Sequence, residues 1–165
     1  MPAEPAIRLA LPEDAARLAE LATQLGYPTS AAELAERLPH LTGDDETVVL
    51  VAASSDGDAI GWVHMELKRS LLSEPTAQVM GLIVDEAHRS GGVGARLLEA
   101  GERWAAERGC RAVLVGTRVT RERAHAFYRR QGYELLKTSH FFEKKLASIL
   151  SRPNYGSDSW PSSKR

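Results

Sequence analysis

The stretch that decides the fold reads Val79-Met80-Gly81-Leu82-Ile83-Val84-Asp85-Glu86-Ala87-His88-Arg89-Ser90-Gly91-Gly92-Val93-Gly94-Ala95-Arg96-Leu97-Leu98. An apolar strand leads into a glycine-rich turn, and apolar residues at helical spacing follow the turn. Glycines let the backbone approach a ligand closely, and the free N–H groups at a helix start attract anions. Residues 89–94 therefore predict a cradle for a pyrophosphate.

Two other phosphate-binding turns do not fit these letters. A P-loop requires a lysine followed by serine or threonine after its second glycine, and this turn contains no lysine. A dinucleotide fingerprint requires a third glycine where this chain has Leu97. Hydrolysis of a nucleoside triphosphate and binding of a dinucleotide are both disfavoured.

The rest of the chain supplies the elements around this turn. Ser30 and Glu33 have the spacing of a capping box, and Gly26, Gly109 and Gly132 stand where helices would end. The predicted order is βααβββαβαββ. Strands are predicted over 7–9, 47–53, 59–67, 77–84 and 112–115, helices over 13–25, 30–38, from residue 93 to before Gly109, and over 121–131, and two closing strands within 133–146.

Composition limits the kind of protein. The chain of 165 residues fits one domain, which we predict over residues 1–147, followed by a serine- and proline-rich mobile tail over 148–165. The 21 Lys and Arg nearly balance the 22 Asp and Glu, so we expect neither nucleic acid nor membrane as a partner. With no export signal or membrane span, and Cys110 as the single cysteine, we expect a cytoplasmic protein.

Two motifs resemble one family. Arg89, Gly92 and Gly94 match the R-x-x-G-x-G signature of the GNAT superfamily of acyl-CoA-dependent N-acetyltransferases. The stretch from Ala124 to Tyr133 is similar to that family's A-x-x-F-Y-x-x-x-G-Y region. The resemblance covers residues 7–146. It implies an α+β fold with a mixed, mainly antiparallel sheet, flanked by about four helices and splayed between the fourth and fifth strands.

The resemblance also implies a cofactor and its site. Acetyl-CoA would be the co-substrate, its pantetheine arm would follow the fourth strand, and Tyr128 would give a proton to the departing thiolate. Phe127 shares a helix face with Ala124, so simple packing explains it as well. The cofactor-binding residues implied in this way are Leu82, Ile83, Val84, Arg89, Ser90, Gly91, Gly92, Val93, Gly94, Ala95, Phe127 and Tyr128.

The sequence offers two candidates for the general base, the group that removes the proton of the amine. Some GNAT branches carry a glutamate near the position of Gln78, and glutamine cannot accept a proton. Glu66 on the neighbouring strand is our candidate, with His64 as an alternative on the same strand face. His64 and Glu66 lack a third ligand, so no metal site is predicted.

The resemblance implies acetyl transfer to a primary amine. Leu25-Gly26-Tyr27-Pro28 and Lys137-Thr138-Ser139-His140-Phe141-Phe142 resemble small GNATs often grouped with aminoglycoside acetyltransferases, so a small-molecule amine is expected. Two alternatives stay open, a peptide or protein N-acetyltransferase and a CoA-binding sensor without turnover. Homodimerisation is left open as well.

Overall fold

The computed structural model describes residues 4–146. The elements follow the order β1 (Ala6–Leu9), α1 (Ala15–Leu25), α2 (Ala31–Thr42), β2 (Thr47–Ala53), β3 (Ala59–Lys68), β4 (Thr76–Val84), α3 (Val93–Glu107), β5 (Ala112–Val115) and α4 (Glu122–Arg130), with short 3-10 turns at Pro12–Asp14 and Glu86–His88. The predicted α+β class is confirmed, and the predicted order holds as far as α4.

The five strands form one sheet in the order β1-β2-β3-β4-β5. Strands β1 to β4 pair antiparallel with one another, and within residues 4–146 the pairing of β4 with β5 is the one that is parallel. That parallel pairing extends from Thr76 with Ala112 to Val79 with Val115 and then stops, although β4 continues to Val84. The sheet therefore opens between β4 and β5, as the family resemblance implied.

Each face of the sheet packs against different helices. Val63 and Met65 of β3 are fully buried in a cluster with Leu97 of α3, and Gly101 of α3 leaves space for the Met65 sulfur. On the other face, Trp62 packs against a cluster that contains Leu18 of α1 and Leu38 of α2. The alternation along β3 thus separates an α3 face from an α1 and α2 face.

The start of α2 confirms the predicted capping box, since the Ser30 hydroxyl accepts from Glu33 N at 3.2 Å and the Glu33 carboxylate accepts from Ser30 N at 2.8 Å. The predicted end before Pro39 is wrong, because α2 continues to Thr42. A proline inside a helix removes one N–H donor. Here Leu41, in the turn beyond Pro39, is partly buried against the cluster that contains Leu38, and this burial favours continuing the helix.

The two closing strands predicted within 133–146 are wrong, because no strand occurs among the described residues after β5. Leucine and phenylalanine favour strands, but a strand is stable only when its backbone groups are paired. Leu135 and Phe141 are 78% and 93% exposed. The chain divides after Tyr133 into two compact units, so residues 134–146 are described by themselves.

Candidate active site

The opening between β4 and β5 begins at a bulge. The β3–β4 register shifts between His64, which lies opposite Gly81, and Met65, which lies opposite Val79, so Met80 is left without a partner on β3. A bulge bends the strand that carries the extra residue. The pairing of β5 with β4 ends at Val79, although β4 continues to Val84. Beyond Val79, the backbone N–H and C=O groups of β4 that point away from β3 therefore have no partner on β5.

A cavity of about 950 Å³ fills this opening. Its walls come from the end of β4, the turn into α3, the end of β5, the start and middle of α4, and the loop after α1. Of the residues implied to bind the cofactor, all but Gly91 line this cavity. The structure therefore brings together both motifs, which are far apart in the sequence.

The predicted cradle is an uncapped helix start. Gly92 is the N-cap of α3 with φ of 78°, a left-handed conformation, and no side chain caps the helix. The first turn of α3 contains no acidic residue. Ser90 also has a positive φ of 69°. Free N–H groups and the positive end of the helix dipole thus remain open to an anion, and a pyrophosphate fits this chemistry.

Arg89 supports the turn before it. Its Nε donates to the carbonyl oxygen of Val84 at 3.0 Å, and its Nη1 lies 3.6 Å from Glu86 Oε1. The guanidinium therefore holds the end of β4 against the start of the cradle. Because Nε and Nη1 contact other groups of this chain, Arg89 stabilises the turn and also lines the cavity.

A polar network from α1 braces the same turn, and sequence reasoning missed it. Arg17 pairs with Asp85, the residue that follows β4. Gln24 accepts from Glu86 N at 3.2 Å, and Asp85 accepts from Ala87 N at 3.2 Å. Asp85 could have been recognised as a cap from its place after a strand. Its partners on α1 could not, because Arg17 and Asp85 are 68 positions apart in the sequence.

Tyr128 lines the cavity from α4. Its ring meets Phe127 and Tyr133 edge to face at centroid distances of 5.1 and 5.5 Å. Burial raises the pKa of the Tyr128 hydroxyl to about 12, and the charge of Arg121 acts in the opposite direction. The hydroxyl is therefore protonated at neutral pH, the state required of a proton donor.

Phe127 takes part in the packing of the cradle. A Cβ placed on Gly94 would lie 3.5 Å from the Phe127 ring and 3.5 Å from a Val84 methyl group. The ring thus covers the first turn of α3 from the α4 side. Packing accounts for Phe127, while its position in the cavity wall also agrees with contact to a cofactor.

The structure does not bring Glu66 into the cavity lining. Its carboxylate pairs with Lys68 Nζ at 2.6 Å and lies 3.6 Å from His64 Nε2. Gln78 lies opposite Glu66 in the β3–β4 ladder. The role of Glu66 as a general base stays a prediction. No group of three or more potential metal-binding side chains occurs within the described part of the chain.

Other residues of the cavity wall were not predicted. Tyr27, in the loop after α1, has the guanidinium of Arg118 at 5.9 Å from its ring centroid. Arg121 donates from Nη2 to the carbonyl oxygen of Leu25 at 2.7 Å. These contacts join the loop after α1 to the segment between β5 and α4. Among residues 4–146, no helix is long and apolar enough to span a membrane.

An opened parallel strand pair, a glycine cradle at a helix start and a half-buried tyrosine thus line one cavity. The sequence profile of the acetyltransferase (GNAT) family matches residues 14–133. The aminoglycoside N(6')-acetyltransferase type 1 of Stenotrophomonas maltophilia is 32% identical over 146 residues, covering 86% of this chain and 94% of that protein.

Solved structures share the fold. AAC(6')-Iy in complex with the bisubstrate analog CoA-S-monomethyl-acetylneamine has a TM-score of 0.77 at 21% identity, with 87% of this chain and 100% of that chain covered. The aminoglycoside 6'-N-acetyltransferase AAC(6')-Ih of Acinetobacter baumannii has a TM-score of 0.76 at 17% identity, covering 86% and 99%. The chain belongs to the GNAT acetyltransferase family, whose members use acetyl-CoA, and it is an N-acetyltransferase.

Proposed function

We propose that this N-acetyltransferase acts on the primary amine of a small molecule, with the cradle binding CoA and Tyr128 donating a proton. The observation that carries the proposal is that the cradle at Gly92 and the Tyr128 side chain line one cavity. Acetyl-CoA supplies an activated acetyl group as a thioester. The rest of the chemistry concerns what this chain does to bind the reactants and to move protons.

Binding of CoA is assigned to the turn and the end of β4. The N–H groups at the start of α3 would hold the pyrophosphate, and Leu82, Ile83 and Val84 would line the pantetheine arm. A backbone N–H of this strand without a β5 partner is suited to donate to an oxygen that gains negative charge. The chain thus offers both an anion site and a hydrogen-bond donor.

Tyr128 is assigned the proton donor. Its pKa of about 12 leaves the hydroxyl protonated, so it can deliver a proton to a thiolate formed beside it. No carboxylate of β3 lines the cavity, so removal of the amine proton is assigned to solvent or to a relay from Glu66. An amine that enters in its neutral form needs no base before attack.

The acceptor is proposed from the relatives. The Stenotrophomonas maltophilia relative is named for acetylation of aminoglycosides, and it is similar over most of both chains. An aminoglycoside is therefore the first acceptor to test, ahead of a peptide amine. The lone cysteine favours a reducing compartment, so we also place the protein in the cytoplasm. The folded domain is proposed to extend to residue 147.

The test is to incubate the protein with acetyl-CoA and a panel of primary amines, following thiol release and the mass of each amine. The panel contains aminoglycosides, polyamines, amino acids and short peptides, with a parallel set in EDTA because no metal is expected. Thiol release that depends on an amine, together with an acetylated product, supports the proposal. Binding of acetyl-CoA without any acetylated product would favour the sensor, and release without amine would show only hydrolysis.

A further inference from the structure

The arginines of the described chain fall into two groups. Away from the cavity most of them pair with carboxylates, as Arg8 does with Asp14 at 2.7 Å. Five arginines line the cavity, and of these five only Arg89 has a carboxylate of a described residue within 4.0 Å. Within the same described lining, Glu122 is the sole carboxylate. The arginines without such a partner are Arg118, Arg121, Arg123 and Arg130.

This excess of positive charge is local. The whole chain has a formal net charge of −1, so unpaired arginines are not a general property of the protein. Unpaired guanidiniums around a cavity produce a positive potential that attracts anions and repels cations. CoA is itself an anion, so its phosphates pair with those of these arginines that lie within their reach. An arginine beyond their reach stays available to another anion.

Arg118 and Arg121 lie together just before α4, where the Arg121 N–H donates to Arg118 O at 2.9 Å. Arg121 donates a hydrogen bond to Leu25 O, and its positive charge opposes the rise in the pKa of the Tyr128 hydroxyl. Arg118 faces the Tyr27 ring across the same opening. By contrast, Phe127, one turn further along α4 than Ala124, faces the cradle at Gly94. Phe127 thus marks the side of α4 that faces the cradle, while the charge of Arg121 acts at the Tyr128 hydroxyl.

The covalent order of CoA places its charges away from Arg118 and Arg121. The pantetheine arm separates the thiol from the pyrophosphate, and the 3′-phosphate lies beyond the pyrophosphate. If the pyrophosphate occupies the cradle and the thiol reaches Tyr128, all the phosphates lie toward the cradle. The two arginines at the thiol end then keep their charge when CoA is bound, on the side where the acceptor enters.

We propose that Arg118 and Arg121 bind an oxyanion, a carboxylate or phosphate, of the acceptor, so that the substrate is an amine that also carries a negative charge. This inference rests on the proposed function. A guanidinium recognises an oxyanion through charge-assisted and often bidentate hydrogen bonds. A polycation such as an aminoglycoside would place like charges against these arginines and would find one carboxylate in the described lining.

The test compares matched amines that differ in the anionic group alone. One set is β-alanine, its amide and propylamine, and a second is O-phosphoethanolamine and ethanolamine, with kanamycin as the polycation. We expect kcat/KM to be about 10- to 100-fold higher for the anionic member of an active set. Arg118→Gln and Arg121→Gln should remove this preference, whereas Arg121→Lys, which keeps the charge, should retain part of it.

Arg129→Gln is the control for loss of one positive charge. Arg129 is exposed on the same helix but does not line the cavity, so the preference for the anionic amine should be unchanged. Melting temperatures of all variants show whether any loss comes from unfolding. A higher kcat/KM for kanamycin or the neutral amines, or a preference that survives in both glutamine variants, overturns the proposal.

A comparison of CoA with dephospho-CoA separates the acceptor from the cofactor as the source of the oxyanion. We expect the ratio of their Kd values to be the same in the wild type and in Arg118→Gln and Arg121→Gln. A ratio that collapses to one in these variants would assign the arginines to the 3′-phosphate and overturn the proposal. If acetyl-CoA binds but no amine of any charge is acetylated, the proposed function itself fails, and this inference fails with it.

Discussion

Gly92 is the residue on which the cradle depends most directly. With φ of 78° it adopts a left-handed conformation that side chains disfavour, by about 1–2 kcal/mol. We predict that Gly92→Val weakens CoA binding by at least about tenfold, because the turn must relax and its N–H groups lose their common direction. Isothermal calorimetry with CoA measures this change.

Gly109 provides the matched control, since its φ of 76° is nearly the same and, as at Gly92, a Cβ would meet no atom within 4 Å. It follows the C-terminal end of the same helix, away from the cavity. Gly109→Val should lower the melting temperature similarly but leave the Kd for CoA unchanged. Equal Kd values for wild type and Gly92→Val would remove the cradle from the proposed site.

Tyr128→Phe separates a catalytic hydroxyl from a packing ring. The ring packs equally well in both proteins, while the hydroxyl matters only as charge develops on sulfur. We predict that turnover falls by about 10- to 1,000-fold, within the range of general acid catalysis, with a nearly unchanged Kd for CoA. Turnover at saturating acetyl-CoA and the Kd are measured on the same preparation.

Tyr133→Phe is its control. The Tyr133 hydroxyl donates to Glu102 Oε1 at 2.7 Å, and Tyr133 does not line the cavity. Because the acceptor is a carboxylate, loss of this bond should cost about 1.5–3 kcal/mol of stability and leave turnover unchanged. If Tyr128→Phe behaves like Tyr133→Phe, the Tyr128 hydroxyl is structural and the thiolate obtains its proton elsewhere.

Single residues of the site differ in how far the sequence predicts them. Gly92, Gly94 and Tyr128 lie in local patterns that can be recognised by spacing, and the structure places these three residues in one cavity. Arg121 and its acceptor Leu25 O are 96 residues apart. No local pattern encodes such a contact, because it depends on how α1 and α4 are placed by the sheet. The acceptor end was therefore predicted least well.

Helices and strands were predicted best where periodicity and caps agree. Strands β2 and β5 begin and end as predicted, and α1 ends as predicted at Leu25, where Gly26 is the C-cap with φ of 97°. The error at α2 arose because the local cost of Pro39 was weighed without the burial of Leu41. The bulge at Met80 has no sequence signal of its own, although it marks where β4 and β5 separate.

Strand β3 carries a histidine that should make stability depend on pH. Burial lowers the pKa of His64, and no described residue gives its Nε2 a hydrogen bond. The native state therefore resists protonation, while the unfolded chain binds a proton below about pH 6.5. We predict that stability is full above about pH 6.5 and is lost as the pH falls from there toward the lowered pKa.

The measurement is urea unfolding between pH 5 and 8 of wild type and His64→Gln. Glutamine does not titrate, so the variant should lose the part of the pH dependence that His64 causes. His40→Gln, at an exposed position of α2, serves as the control and should keep the wild-type profile. Parallel profiles for wild type and His64→Gln would show that protonation of His64 is not opposed by the fold.

The molecule as a whole combines one well-packed unit with a sequence end of different composition. The first unit contains the sheet, the four helices found within residues 4–146 and the cavity, and its family match extends to residue 133. Composition predicted a mobile tail from residue 148, which lies outside the described residues. The boundary of the functional domain therefore rests on the sequence and requires its own experiment.

We predict that a chain ending at Leu150 binds CoA with unchanged Kd. The removed residues 151–165 are mostly serine, proline, glycine and charged residues, so they have little apolar surface to add to a core. Because a ligand stabilises the native state by mass action, CoA should raise the melting temperature of both chains equally. A full-length chain with Tyr155→Ser and Trp160→Ser tests the two aromatic side chains separately. If the shortened chain fails to fold or loses CoA affinity and the double variant does the same, these side chains dock on the domain. If the shortened chain alone fails, the removed backbone belongs to the domain, and the boundary lies nearer the end of the chain.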